Sequence, residues 1–415
     1  MDKIFELIER EGKGQSDTLM MIPSENYTYQ EVRNAVGSIL MHKYAEGYPG
    51  KRYYQGNKIV DEVEDLCRVR ALEAFNLDPE KYHVNVQPHS GCEANLAVYN
   101  TLLTPGDKIL ALYLPDGGHL SHGWQTADKK LTLVSKIFEV QFYKVDPETK
   151  LLNYDEIEKQ ALEFRPKLII SGGTAYPREI DYKRMGEIAK KVGAYYLADV
   201  AHEAGLIAAG VLTAPFEYAD MVSMTTHKTL RGPRGAIVIC KKELGHQLDM
   251  AVMPGLQGGP HLHTIAGIAI ALEKTKTKEF KDYAFQTVKN AKKLAEVLKD
   301  GGLKIISGGT DKHLVLIEVQ TGKGGEIAQA LEDVGIIVNK NTVPGEKGSP
   351  VHPSGVRLGT PAVTVRGMKE GEMEEIGGYI LTVIEVVRSK ENYEKVIKEV
   401  EEKVRALARK FPIPD

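Results

Sequence analysis

The rhythm of apolar and polar positions changes along the chain. From about residue 80, short β-branched apolar runs alternate with longer segments of helical spacing, which is how a mostly parallel α/β sheet reads. DKILALYL (107–114), KLIISG (167–172), AYYLADV (194–200), ADMVSMTT (219–226) and GAIVIC (235–240) predict strands. Between two of them, YKRMGEIAKKVG (182–193) predicts a helix that stops at Gly193. After Leu272 the pattern shifts. Residues 273–300 predict a long charged helix, HLVLIEV, GIIVNKN and GVRLGT a short sheet, and Glu372 to Phe411 a further helical stretch. The expected organisation is an N-terminal arm and large domain over 1–275 and a smaller C-terminal α+β domain over 276–415. Two cores are the better prior for 415 residues.

Composition narrows the function. At 42% hydrophobic and 27% charged, the chain reads as an ordinary globular protein. Its 54 basic and 57 acidic residues leave a net charge of −3, and no basic block offers a nucleic-acid footprint. The first 15 residues are amphipathic rather than signal-like, and no apolar run is long enough to span a bilayer. Cys67, Cys92 and Cys240 are odd in number and widely spaced. This argues against a disulfide framework and a metal site and for a reducing cytoplasm.

Three stretches carry candidate chemistry. In MTTHKTLRGPRG (224–235), Lys228 follows a strand and lies beside His227, Arg231 and a glycine-rich turn. A lysine amine condenses with an aldehyde at neutral pH when burial or nearby cations lower its pKa. In isolation such a lysine reads as a surface residue. In LADVAH (197–202), Asp199 ends an apolar run, with His202 three residues on. Ligands of open α/β sheets bind at the carboxyl ends of strands, where an Asp can pair with a pyridinium nitrogen. The plain alternatives are a helix cap and a core histidine. In QPHSGCEANLAVYNTLL (87–103), Ser90 and Gly91 open an amphipathic helix whose N-terminal N–H groups suit a phosphate, or Ser90 is simply an N-cap.

With these, YAEGYPGKRYYQG (44–56), DGGHLSHG (116–123), PGLQGGP (254–260), VNKNT (338–342) and GVRLGTPAVTVRG (355–367) form an ordered series across nearly the whole chain. The series resembles the serine hydroxymethyltransferase family. That resemblance implies fold type I of the pyridoxal-phosphate enzymes and reversible transfer of a one-carbon unit from L-serine to tetrahydrofolate. It implies Lys228 as the Schiff-base lysine, with His227 beside it, Asp199 as the pyridine-nitrogen partner and His119 as the imidazole on the cofactor ring. It further implies Ser90 and Gly91 as phosphate ligands and Thr174 and His202 near the phenolic oxygen. Tyr44 and the Gly258–Gly259 turn reach the neighbouring subunit's cofactor, so a homodimer is expected. Arg357 and Ser24 would hold the substrate carboxylate, Glu46 and Tyr54 would flank the reacting carbon, and Tyr53, Leu114, Gly118 and Leu120 would face the pterin. A planar guanidinium can grip a carboxylate bidentately and so orient Cα.

Departures from the family pattern cluster on the pterin side. Asp116 follows Pro115 where a His is usual, and WQTADKKLTL (124–133) sets Trp124 beside the expected active-site entrance. Gly345 and Val351 replace aromatics, and Cys92 and Glu93 replace a small residue and Gln. These changes favour a pterin-independent β-hydroxy-amino-acid aldolase as the alternative, against which Glu46, Tyr53 and Tyr54 are retained. A cofactor-free scaffold of the same fold ranks last, because Lys228, Asp199 and Arg357 are all present.

Overall fold

Leu168–Ser171 and Met221–Thr225 are buried at every position. A strand covered on both faces has no polar side, so it reads as one unbroken apolar run. Both lie inside a seven-stranded sheet with the spatial order Tyr82–Asn85, Ala236–Lys241, Met221–Thr225, Tyr195–Asp199, Leu168–Ser171, Lys108–Leu112, Glu139–Tyr143. Neighbours pair in parallel except at Ala236–Lys241, which is antiparallel to both flanking strands. All five expected strands are present. The two that pattern alone did not reveal are the edges of the sheet. Glu139–Tyr143 is exposed at alternate positions and so lacks the unbroken apolar run that marks the interior strands.

The computed structural model describes residues 2–414. By contacts it separates into one unit of Thr28–Asp146 and Leu151–Asp282, and a second formed by the chain up to Tyr27, Pro147–Lys150 and the chain from Tyr283 onward. The sheet belongs to the first. The second is built on an antiparallel sheet in the order Lys304–Ile305, Leu314–Glu318, Gly355–Gly359, Asn339–Asn341. Leu19, Met21, Leu294, Val315, Ile317, Leu358, Ile380 and Val404 share its core.

Two features differ from the sequence expectation. The N-terminal residues, expected to go with 28–275, join the C-terminal unit instead. Leu19–Met20 pairs in parallel with Ile336–Ile337, and Gly359 N–H donates to the Met21 carbonyl at 2.7 Å. Two-residue strands carry no periodicity, so nothing in the pattern announced this. The boundary near 275 also moves, to within the helix Lys278–Asp300. What the pattern registered at 275 is a helix break. Thr275 Oγ1 donates to the Leu272 carbonyl and Thr277 Oγ1 accepts from Phe280 N–H, so Leu262–Lys274 ends and a new helix starts. The tail likewise forms two helices, Glu370–Ser389 and Tyr393–Lys410, separated by left-handed Lys390 and Asn392. Among the described residues no helix is long and apolar enough to cross a membrane.

Candidate active site

Asp199 is the last residue of its strand and is buried, where a charge is tolerated only if donors surround it. Asn95 Nδ2 and His122 Nε2 both donate to its Oδ2, at 2.8 and 2.9 Å, and Ala201 N–H donates to Oδ1 at 3.0 Å. Burial disfavours the charge. The hydrogen bonds from His122 and Asn95 outweigh it and hold the carboxyl well below the usual carboxylate range. The chain can come this close because residue 172 is glycine. It sits at φ +114°, and a Cβ there would lie 2.0 Å from the Asp199 carbonyl oxygen.

Lys228 follows the adjacent strand, Met221–Thr225, and is also buried. Its loop is folded back by Arg231 N–H to the Lys228 carbonyl and Gly232 N–H to the Thr226 carbonyl, with Arg231 in the left-handed region. The lysine and the carboxylate thus occupy the carboxyl ends of neighbouring parallel strands. His227, beside Lys228, has a buried Nδ1 without a partner. Its pKa falls to about 3, through burial first and then the charges of Lys228 and Arg234, so this imidazole is neutral.

His119 is half-buried, with Nδ1 2.7 Å from Ser121 Oγ. Ser90 does cap the helix Gly91–Leu102, accepting from Glu93 N–H, while Glu93 in turn accepts from His89 N–H at 3.1 Å. The cap and a phosphate cradle are compatible, because one side chain leaves other first-turn N–H groups without intrahelical partners. Thr174 Oγ1 donates to the Gly118 carbonyl, and the His202 carbonyl accepts from Thr229 Oγ1.

A second group gathers on the same unit. Tyr44 OH donates to Glu46 Oε1 at 3.2 Å, and the Tyr44 and Tyr54 rings meet edge to face at 5.1 Å. A Cβ at Gly258 would lie 2.6 Å from Glu46 Oε1, and one at Gly259 would lie 3.6 Å from the Tyr44 ring. Tyr44, Glu46, Tyr54, Gly258 and Gly259 are therefore mutual neighbours. Tyr53 is 70% exposed and Leu120 53% exposed, whereas Gly118 is packed so that a Cβ would lie 2.2 Å from the Leu112 carbonyl. Leu114 is half-buried.

In the other unit, Arg357 lies on Gly355–Gly359, is buried, and donates Nε to Asn339 Oδ1 at 3.0 Å. Burial draws its pKa down to about 10. Ser24 is half-buried next to Pro23, which packs directly on Gly359 of the same strand.

Sequence reasoning missed Asn95, Ser121 and His122. The available signals were a polar residue on the apolar face of the 91–102 helix and a second histidine three positions after His119. Two of the departures are packed into the fold. Trp124, expected beside the entrance, is buried against Tyr113 and Phe142, with ring centroids 5.6 and 6.3 Å away. Asp116 is buried and accepts from Val145 N–H. Polar atoms of His119, His122 and Asp199 lie within 4.8 Å of one another, and the hydrogen bonds above account for that closeness.

A mostly parallel sheet with a buried lysine and a donor-ringed carboxylate at adjacent strand ends defines the class, the fold-type-I pyridoxal-phosphate enzymes. Comparison with known proteins then gives the family. The family model for serine hydroxymethyltransferase matches residues 1–380. Serine hydroxymethyltransferase of Methanosarcina barkeri is 51% identical over 99% of this chain and 97% of its own length. The mitochondrial enzyme of Schizosaccharomyces pombe is 47% identical over 97% and 85%, and the cytosolic enzyme of Aspergillus fumigatus 46% over 93% and 86%. The chain belongs to the serine hydroxymethyltransferase family.

Proposed function

We propose that the protein reversibly transfers the hydroxymethyl carbon of L-serine to tetrahydrofolate, giving glycine and methylene-tetrahydrofolate, with pyridoxal phosphate held at Lys228. The observation that carries the reading is the Asp199 carboxylate, kept ionised by three N–H donors at the strand end next to Lys228. Such a carboxylate fits a protonated pyridine nitrogen, and a buried amine fits an aldehyde. The residues present therefore suit the cofactor. When bound, pyridoxal phosphate supplies an electron-withdrawing ring that accepts the electron pair released at the substrate's Cα.

The chain's own residues divide the remaining work. Asp199 would hold the ring nitrogen's proton, and His119 would lie against the ring. Ser90 and Gly91 present the phosphate end, with Tyr44, Gly258 and Gly259 contributing from a partner subunit, while Thr174 and His202 address the phenolic oxygen. Arg357, assisted by Ser24, fixes the substrate carboxylate. Its buried guanidinium favours an anion, which restores the charge compensation that burial removes. Glu46 lends or takes the proton at the hydroxymethyl oxygen, beside Tyr54. Tyr53, Leu114, Gly118 and Leu120 form the pterin side. His227 is too weakly basic to take a proton near neutral pH, so its part is to keep Lys228 free of a second nearby cation. A homodimer is supported by the run of exposed large apolar side chains between residues 39 and 59, Ile39, Met41, Tyr44, Tyr53, Tyr54 and Ile59. A cytoplasmic location is supported by three unpaired cysteines.

Packing accounts for Trp124 and Asp116, while Gly345 and Val351, which stand where aromatic residues would stack on a pterin, keep a pterin-free aldolase as the second reading. The discriminating experiment is Glu46→Gln, which keeps size and removes the titratable proton. Tetrahydrofolate-dependent serine cleavage should fall roughly 100- to 10,000-fold. Cleavage of allo-threonine, which releases a stable aldehyde, should fall far less. Equal losses would refute the role of Glu46, and absence of any tetrahydrofolate stimulation in the unaltered protein would favour the aldolase.

A further inference from the structure

Asn95 is buried and uses its whole amide. Nδ2 donates at 2.8 Å both to Asp199 Oδ2 and to Ser121 Oγ, and Oδ1 accepts from Ser223 Oγ at 2.6 Å. The orientation of this amide follows from its partners. An ionised carboxylate only accepts, so the atom facing Asp199 must be the NH2, which turns the carbonyl to Ser223. Ser121 Oγ accepts from Asn95 and also hydrogen-bonds the Cys92 thiol, which as a protonated group can donate to it, so its own proton is available to His119 Nδ1 at 2.7 Å. The backbone N–H of Ser121 points at the same nitrogen from 3.2 Å, and that donor cannot be reversed. Two donors converging on Nδ1 leave it no proton, so the ring proton of His119 resides on Nε2.

We propose that Asn95 is a positioning residue that sets two protonation states at once, holding Asp199 as an acceptor through one N–H and His119 as the neutral Nε2–H tautomer through the other. The consequence is electrostatic. The inference rests on the reading that Asp199 and His119 both face the cofactor. A ring kept positive by Asp199 is incompatible with a positive imidazole stacked on it, and a like-charge pair at stacking distance opposes ionisation of one member. One amide thereby keeps the ring protonated and denies the covering imidazole a second proton. The other charged or titratable groups around this relay are Cys92, Tyr99, whose OH donates to the Ser121 carbonyl at 2.9 Å, His122 and Lys228. The Cys92 thiol, raised by burial, then by Asp199, stays protonated and adds no charge.

The test is a 15N spectrum of the histidine side chains in the full-length protein, with and without pyridoxal phosphate. His119 is assigned from its absence in His119→Gln. The unaltered protein should show His119 neutral and protonated on Nε2 from pH 6 upward. Asn95→Ala and, independently, Ser121→Ala should increase the Nδ1–H form and raise the pH at which His119 takes a second proton by about 1 unit, a tenfold change in proton affinity. Thermal unfolding shows whether each variant is folded. Ser121→Ala keeps the relay testable should Asn95→Ala collapse, because it leaves the Asn95–Asp199 bond in place. An imidazolium or an Nδ1–H tautomer in the unaltered protein would overturn the proposal, as would an unchanged His119 signal in the folded variants. Uptake of pyridoxal phosphate, followed by visible absorption, separates the two levels of the argument. No uptake by the unaltered protein defeats the cofactor reading, whereas uptake with an unmoved His119 signal defeats this inference alone.

Discussion

Asp199 in the sheet unit and Arg366 in the C-terminal unit are both buried charges, and both are satisfied mainly by neutral dipoles. Arg366 presents its five N–H donors to five backbone carbonyls, those of Gln15, Ser16, Thr18, Ala408 and Phe411. These carbonyls belong to the ends of the helices Lys3–Asp17 and Tyr393–Lys410, where peptide oxygens lack intrahelical partners and the helix dipole is negative. The guanidinium ties the first and last segments of the chain together and commits every donor it has. Asp199 is ringed by three N–H donors, all of them on side chains or loops that also contact candidate site residues. A carboxylate has about four acceptor positions, so three donors leave capacity for one more N–H. A structural charge is saturated by its own chain. A charge meant for a ligand is stabilised and left one partner short.

The comparison can be broken at either end. Arg366→Leu orphans several helix-end carbonyls and should lower unfolding stability by about 3 kcal/mol or more, read from urea denaturation. Cofactor uptake and turnover below the transition should be unchanged. If turnover fell in the folded variant, Arg366 would not be purely structural.

Asp199→Asn should do the reverse. Turnover of serine should drop on the order of 100- to 1,000-fold, the usual effect of removing one preorganised electrostatic group. The unfolding midpoint should move little. A large loss of stability with turnover preserved would place Asp199 with Arg366.

A third measurement uses His227, whose pKa is lowered from 6.5 to about 3. The unfolded chain then takes up a proton before the folded one as pH falls. Stability is intact above pH 6.5 and declines toward about 3, by at most about 1.4 kcal/mol per pH unit from this group. His227→Gln should flatten that slope between pH 6 and 4. An unaltered slope would show that the imidazole is not held neutral.

The smallest effect concerns Trp124. Trp124→Phe should cost about 1 to 2 kcal/mol of stability through lost packing. Stimulation by tetrahydrofolate should stay the same, and a selective loss of it would return Trp124 to the pterin side.

The sequence by itself determined the sheet interior and the residues at its carboxyl ends, because strands buried on both faces leave continuous apolar runs, with Asp199 at the end of one and Lys228 three residues past the end of another. The ordered motifs carried the family in the same way, each being a contiguous stretch. Tertiary structure alone decided the rest. Asn95 reaches residues 26 and 104 positions away, and His122 reaches Asp199 across 77. Hydrogen bonds of that span depend on how a helix and a turn pack over the sheet, not on any local spacing. The N-terminal residues were assigned by a two-residue strand and five carbonyls around one arginine, which leave no period in the sequence. Trp124 went to the core for a related reason. Its partners Tyr113 and Phe142 are brought to it by neighbouring strands of the folded sheet, and a lone aromatic in a polar stretch gives no sign of them beforehand.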